Sequence, residues 1–124
     1  MQYLNYFKDA IKVVDNTTGA ISEKNKPFYY MINCSHITHF AHIFEEEDGQ
    51  KYINRIGALK TNGSKKTQDE LNDCNTLDTG DPIEFGELMT KYQRKAGPQV
   101  NWLSGCCGTD IRHLRETIKC LKRK

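Results

Sequence analysis

Residues 100–110 read Val100-Asn101-Trp102-Leu103-Ser104-Gly105-Cys106-Cys107-Gly108-Thr109-Asp110, and the order of their properties decides the fold. Val100-Asn101-Trp102-Leu103 is a short strand, and the glycine-bracketed cysteine pair then turns the chain. Asp110 opens a helix whose apolar positions Ile111, Leu114, Ile118 and Leu121 are expected to mark its buried face. Lys119, Lys122, Arg123 and Lys124 crowd the end of that helix, where cations complement the helix dipole. A solvated helix end explains them better than a nucleic-acid patch.

Upstream, Asp81-Pro82-Ile83-Glu84 carries a capping residue, a proline at the first helical position and an acid at the capping-box position. The helix runs on through Phe85, Leu88, Met89 and Tyr92, and Gly97-Pro98 stops it. The segment 64–80 is mostly polar and reads as a long surface loop. Arg55-Ile56-Gly57-Ala58-Leu59-Lys60 is a weaker strand that ends in the turn residues Thr61-Asn62-Gly63-Ser64. Before it, Phe40, Ile43 and Phe44 share one face of a short helix, and Glu45-Glu46-Glu47-Asp48-Gly49 is its exit. Phe28 to Asn33 is apolar on both faces and too short for a helix, which predicts a buried parallel strand with Cys34 directly after it. Leu4, Phe7, Ile11 and Val14, with Ala10, form the stripe of a first helix ending near Gly19.

Helix and strand therefore alternate throughout, the pattern of right-handed crossovers and a parallel sheet. Three such strands do not close on themselves, and a barrel of eight units needs about 250 residues. The chain has 124, enough for one domain and no more. Its 18 Lys+Arg against 16 Asp+Glu give a formal charge of +2, which argues for neither nucleic acid nor an acidic membrane as partner. No apolar run is long enough to span a bilayer, and the first residues lack the order of a signal peptide, so the expected compartment is the cytoplasm.

Five cysteines, Cys34, Cys74, Cys106, Cys107 and Cys120, cannot all pair, and neighbours such as 106 and 107 would form a strained ring. Parallel α/β folds gather chemistry at the C-terminal ends of strands, where Cys34, Cys106 and Cys107 all fall. Three thiolates at one mouth make a soft site with one vacancy, favouring zinc and a thiol as fourth ligand. Cys74 and Cys120 read as free thiols, the first in the polar loop, the second on the helix surface. Cys34, His36, His39 and His42 have the look of a second metal cluster. Phe40, Ile43 and Phe44 define the core side there, so the histidines are expected to meet loop carbonyls or solvent, with His36 close enough to support a metal held by Cys34. Asn33 and Asn62 sit at strand ends, where shaping the mouth and simple turn chemistry are equal readings. Disulfide exchange is disfavoured because no Cys-x-x-Cys occurs.

Gly105-Cys106-Cys107-Gly108-Thr109, followed by Asp110-Ile111-Arg112-His113-Leu114, resembles the closing signature of the homocysteine S-methyltransferase family. Met31-Ile32-Asn33-Cys34 with Ser35-His36 is similar to that family's earlier Asn-Cys motif, and Thr61-Asn62-Gly63-Ser64 and Thr76-Leu77-Asp78-Thr79-Gly80-Asp81-Pro82 are similar to segments between them. The resemblance implies a zinc-dependent (β/α)8 barrel that passes a methyl group from a donor to homocysteine and makes methionine. It carries the zinc-ligand role onto Cys34, Cys106 and Cys107. The matched region corresponds to the last three strands of such a barrel, so the resemblance also implies a partner, either an N-terminal half-barrel polypeptide or a second copy. The alternative expectation is a truncated zinc-binding remnant without catalysis of its own.

Overall fold

The computed structural model describes residues 2–73 and 75–123. The chain opens with α1 (Gln2–Gly19), a 3-10 turn at Glu23–Asn25 and β1 (Tyr30–Asn33). Three further 3-10 turns, Ile37–His39, Ala41–Phe44 and Glu47–Gly49, lead into α2 (Gln50–Ile53) and β2 (Ile56–Thr61). Then come α3 (Gln68–Asn72), α4 (Pro82–Ala96), β3 (Trp102–Gly105) and α5 (Ile111–Lys122). The strands form one open parallel sheet in the order β1-β2-β3, with helices flanking it. Among the described residues no helix is long and apolar enough to cross a membrane.

Local chemistry accounts for most element boundaries. Asp81 accepts the backbone N–H groups of Ile83 and Glu84 at 2.9 and 3.3 Å, Pro82 takes the first turn of α4, and Gly97 ends it at φ 115°. The Glu84 side chain ion-pairs with Lys65. The expected helix around Phe40 is a run of 3-10 turns instead, yet Phe40, Ile43 and Phe44 are all buried as their spacing requires. The polar loop is interrupted by α3, which Thr67 caps by accepting the Glu70 N–H. β3 begins two residues later than its apolar run suggested. Val100 is spent on the core at 1% exposure, and the ladder with β2 starts only after Asn101 N–H has bonded Gly57 O.

Every helix that contributes to the core lies on one side of the sheet. Ile32, Leu59 and Leu103 are register partners pointing to that side, where Ile11 of α1, Phe85 and Met89 of α4, and Phe40, Ile43 and Phe44 fill the interior. Each such side chain contributes about 1.5–3 kcal/mol of burial. The opposite side carries Met31, Ala58 and Trp102 in register, and Met31 and Trp102 remain 47% and 59% exposed. The expectation that β1 is buried on both faces therefore fails, and Phe28 ahead of it is almost wholly exposed. Parallel sheets ordinarily have both faces covered. A bulge in β2 sets the two faces, since Tyr30 opposes Ile56 but Met31 opposes Ala58, leaving Gly57 unmatched with its Cα against the Tyr29 ring.

At the N-terminal end of the strands, Asp15 of α1 is held by Arg55 and Tyr30. The Tyr30 hydroxyl donates to Asp15 Oδ1 at 2.7 Å, and both Arg55 terminal nitrogens bond the carboxylate. Arg55 also donates to Pro27 O at 2.9 Å. The guanidinium holds the Asp15 carboxyl below its usual range, while burial and the neighbouring carboxylate push Tyr30 up to about 12.

The last helix corrects the sequence reading most. Ile111, Leu114, Ile118 and Leu121 do not face the core: they are 64, 38, 52 and 41% exposed. His113, Thr117 and Cys120, at i, i+4 and i+7, form the packed face, laid mainly against α4. Gly86 is what allows this approach, since a Cβ there would stand 2.6 Å from the Glu116 backbone. Cys120 is accordingly buried at 7% exposure and is not a surface thiol. Cys74 lies outside the described residues.

Candidate metal centre

Cys34 follows β1 and Cys106 follows β3, so the central strand β2 lies between them. Their backbones use its last two carbonyls: Cys34 N–H bonds Lys60 O at 3.0 Å and Cys106 N–H bonds Thr61 O at 2.8 Å. Cys34 sits at φ 56°, the left-handed region that a side chain other than glycine seldom occupies. From these anchors the two sulfurs meet 2.7 Å apart across the end of β2. That is beyond the roughly 2.05 Å of a disulfide and inside the roughly 3.8 Å edge of a zinc tetrahedron with ~2.3 Å Zn–S bonds.

The two thiols are unequal. The hydrogen bond between the two sulfurs lowers Cys106, with help from Cys107 and the Lys60 cation, and raises Cys34, which burial raises further. Cys107 is exposed and close enough to act on both, and its carbonyl accepts the Gly63 N–H at 3.0 Å. Thr109 folds back so that its N–H and hydroxyl both bond Cys106 O, at 3.2 and 2.7 Å. The turn closes through Gly108 at φ 78°.

Around this edge the backbone is packed too tightly for side chains. A Cβ on Gly63 would lie 2.6 Å from Thr79 O, one on Gly80 1.9 Å from Gly63 O, and one on Gly108 2.3 Å from Asp78 O. Loop 78–80 is therefore pressed between the ends of β2 and β3. Asp78 fixes it by accepting from Ser64 Oγ and Gly80 N–H at 2.9 Å each and pairing with Lys66 at 3.2 Å. His113 fixes its other side, with Nε2 donating to Thr79 O at 2.7 Å and Nδ1 accepting Asp110 N–H at 3.1 Å. A cavity of about 350 Å³ opens beside Cys107 and Gly108, with Asn72, Thr76 and Leu77 in its wall.

The histidines do not gather at the cysteines. His36 is 2% exposed, and its Nδ1 accepts the Thr38 N–H at 3.2 Å with the Thr38 hydroxyl at 2.8 Å. Burial pushes it down to about 4, so it is neutral. His39 Nε2 bonds Lys65 O at 2.7 Å, the loop carbonyl that its position suggested. Asn33, at the end of β1, is exposed, whereas Asn62 is 3% exposed between the cysteine-bearing loops. The Asn62 N–H bonds Ser35 O, and its side-chain Oδ1 is buried without a hydrogen-bond partner. Lys60, Gly80 and His113 lie in segments the sequence singles out, but no role for them could be read there. Their roles depend on neighbours far along the chain, though the Asn62-Gly63 turn did point to the right strand end.

Among the described residues no three His, Cys, Asp or Glu side chains stand as a finished metal cluster. The donor chemistry nevertheless suits a soft cation. Two sulfurs already converge, a third is adjacent, the pair shares a proton that a metal would displace, and a buried acceptor on Asn62 is left for a bound group. No family model, curated protein or solved structure matches the chain.

Proposed function

We propose that this chain supplies the zinc-holding part of a homocysteine S-methyltransferase barrel, in which a methyl group passes to the thiol of homocysteine and methionine results. The observation that carries the reading is the meeting of Cys34 and Cys106 at the C-terminal edge of a parallel sheet, with Cys107 beside them. Zinc held by Cys34, Cys106 and Cys107 would supply the Lewis acidity that turns an incoming thiol into a nucleophilic thiolate near neutral pH. The chain's own part is positional and electrostatic. Lys60 favours the thiolate forms of the pair, and the left-handed backbone at Cys34 turns its sulfur toward β3. Loop 78–80, pinned by His113 and Asp78, walls one side of the mouth. A cytoplasmic setting, where thiols stay reduced, suits such a site.

The bare sheet face and the two unpaired edges favour a narrower version, in which the chain binds zinc but turns over only with a second polypeptide that completes the barrel. Zinc content of the purified full chain, beside Cys34→Ser and Cys106→Ser, tests the site. About one zinc per wild-type chain and a clear loss in both variants is expected, and wild type holding no more zinc than the variants rejects it. Methionine formation from homocysteine with S-methylmethionine, S-adenosylmethionine or betaine tests the reaction. It is measured for the zinc-loaded chain alone and mixed with a polypeptide bearing the remaining strands. No turnover in the mixture rejects the transferase reading while leaving the zinc site standing.

A further inference from the structure

α5 presents three sectors. His113, Thr117 and Cys120 lie against α4; Ile111, Leu114, Ile118 and Leu121 form an exposed stripe; and Arg115, Lys119 and Lys122 run along the stripe's outer border. The stripe spacing is three, four, three, the a/d pattern of a helix that receives another helix, with isoleucine at a and leucine at d. It is no frayed end: Asp110 accepts the Arg112 N–H at 2.8 Å and forms a reciprocal capping box with His113, so the helix is fixed before any partner arrives. The four side chains expose on the order of 400 Å² of apolar surface. That is about half of one side of a standard interface, which suits one docked helix rather than a broad dimer face.

The border charge identifies the occupant. Arg115 and Lys122 occupy the e positions beside the a/d seam, and Lys119 lies next to them; Glu116 has its backbone against Gly86 of α4 and its carboxylate paired with Lys119. A second α5 packed antiparallel would set Arg115 against Lys122 of the other copy, like charge on like charge. We infer that the α5 stripe is a docking surface for an amphipathic helix of another polypeptide, one with an apolar a/d seam and glutamate or aspartate along its flank. This surface is independent of the chemistry assigned to the cysteines. Because α5 leaves β3, the edge strand, such a helix would sit where the next crossover of a continuing parallel sheet packs.

The test uses the full chain and two synthetic helical peptides of about 21 residues, long enough to hold a helix. Both carry Ile and Leu at a and d; one has Glu at e and g, the other Lys. Fluorescence anisotropy should show the Glu peptide binding at least tenfold tighter at low salt, with the margin shrinking as salt rises. Ile118→Asp, a change at an exposed site, should abolish binding while leaving the circular dichroism of the chain intact. Arg115→Glu with Lys122→Glu should reverse the preference between the peptides. Equal binding of both peptides, no binding of either, or unimpaired binding by Ile118→Asp overturns the inference. Sedimentation showing a wild-type dimer that Ile118→Asp dissociates overturns it too, assigning the stripe to a second copy.

Discussion

The imidazole of His113 joins two segments 34 positions apart, donating through Nε2 to Thr79 O at 2.7 Å while Nδ1 receives the Asp110 N–H. The ring is fully buried, edge-on to Phe85 at 5.2 Å between centroids, and fixes α5 and loop 78–80 together.

His113→Ala removes both bonds, leaves Thr79 O without its donor and opens a cavity. A loss of about 3 kcal/mol is expected, near 10 °C in melting temperature, measured by calorimetry. His113→Gln, which keeps a donor, should recover part of it.

Gly80→Ala should be worse than its small size suggests. The residue is left-handed at φ 60°, and the added methyl would stand 1.9 Å from Gly63 O. A loss of about 3 kcal/mol or more in urea unfolding is expected. Gly97→Ala meets only the flexible Gln99 side chain, but its φ of 115° with ψ of 178° is a conformation essentially confined to glycine, so a loss of about 2 kcal/mol is expected from backbone strain alone.

Acid should weaken the fold earlier than carboxylates alone would dictate. Folded His36 resists protonation until about pH 4, whereas the unfolded chain takes up that proton near 6.5. The unfolded state therefore binds more protons between these values, and stability falls as pH drops through that window, by on the order of 3 kcal/mol in total. Urea midpoints between pH 7 and 4 should follow this slope, and His36→Gln should flatten it.

Thiol reactivity should rank by environment. In the metal-free chain Cys106 should be alkylated by iodoacetamide at lower pH than an ordinary thiol, because Cys34 hydrogen-bonds its thiolate. Cys34→Ala should move that reaction to higher pH. Buried Cys120 should react only on unfolding, as mass mapping of the labelled peptides would show.

The alternating order of elements and the placement of Cys34 and Cys106 at strand ends were legible because they depend on neighbours a few residues away. Proline and glycine marked the bounds of α4, and apolar runs marked the strands. The orientation of α5 was not legible. Its stripe is the most apolar side of the helix, and periodicity reports that a side is apolar without saying whether anything covers it. His113, Thr117 and Cys120 win the α4 contact because Gly86 lets the helices approach at that side, a fact held in α4. The uncovered face of β1 escaped for the same reason: Met31 is apolar, and only the full arrangement of the described residues shows it left 47% exposed. The glycine contacts at residues 63, 80 and 108 needed three distant loops to be placed first.

The bulge at Gly57 has a bearing on which length changes the chain can survive. Ile56 and Leu59 are three residues apart yet both enter the core, which a regular two-residue alternation forbids. Gly57 acts as a phase shifter between the two halves of β2. Because it is the residue without a cross-strand partner, deleting it would leave Ile56, Leu59 and Thr61 on the core side and Ala58 and Lys60 on the other in plain two-residue alternation, so β2 can lose that codon and still keep the lysine beside both sulfurs.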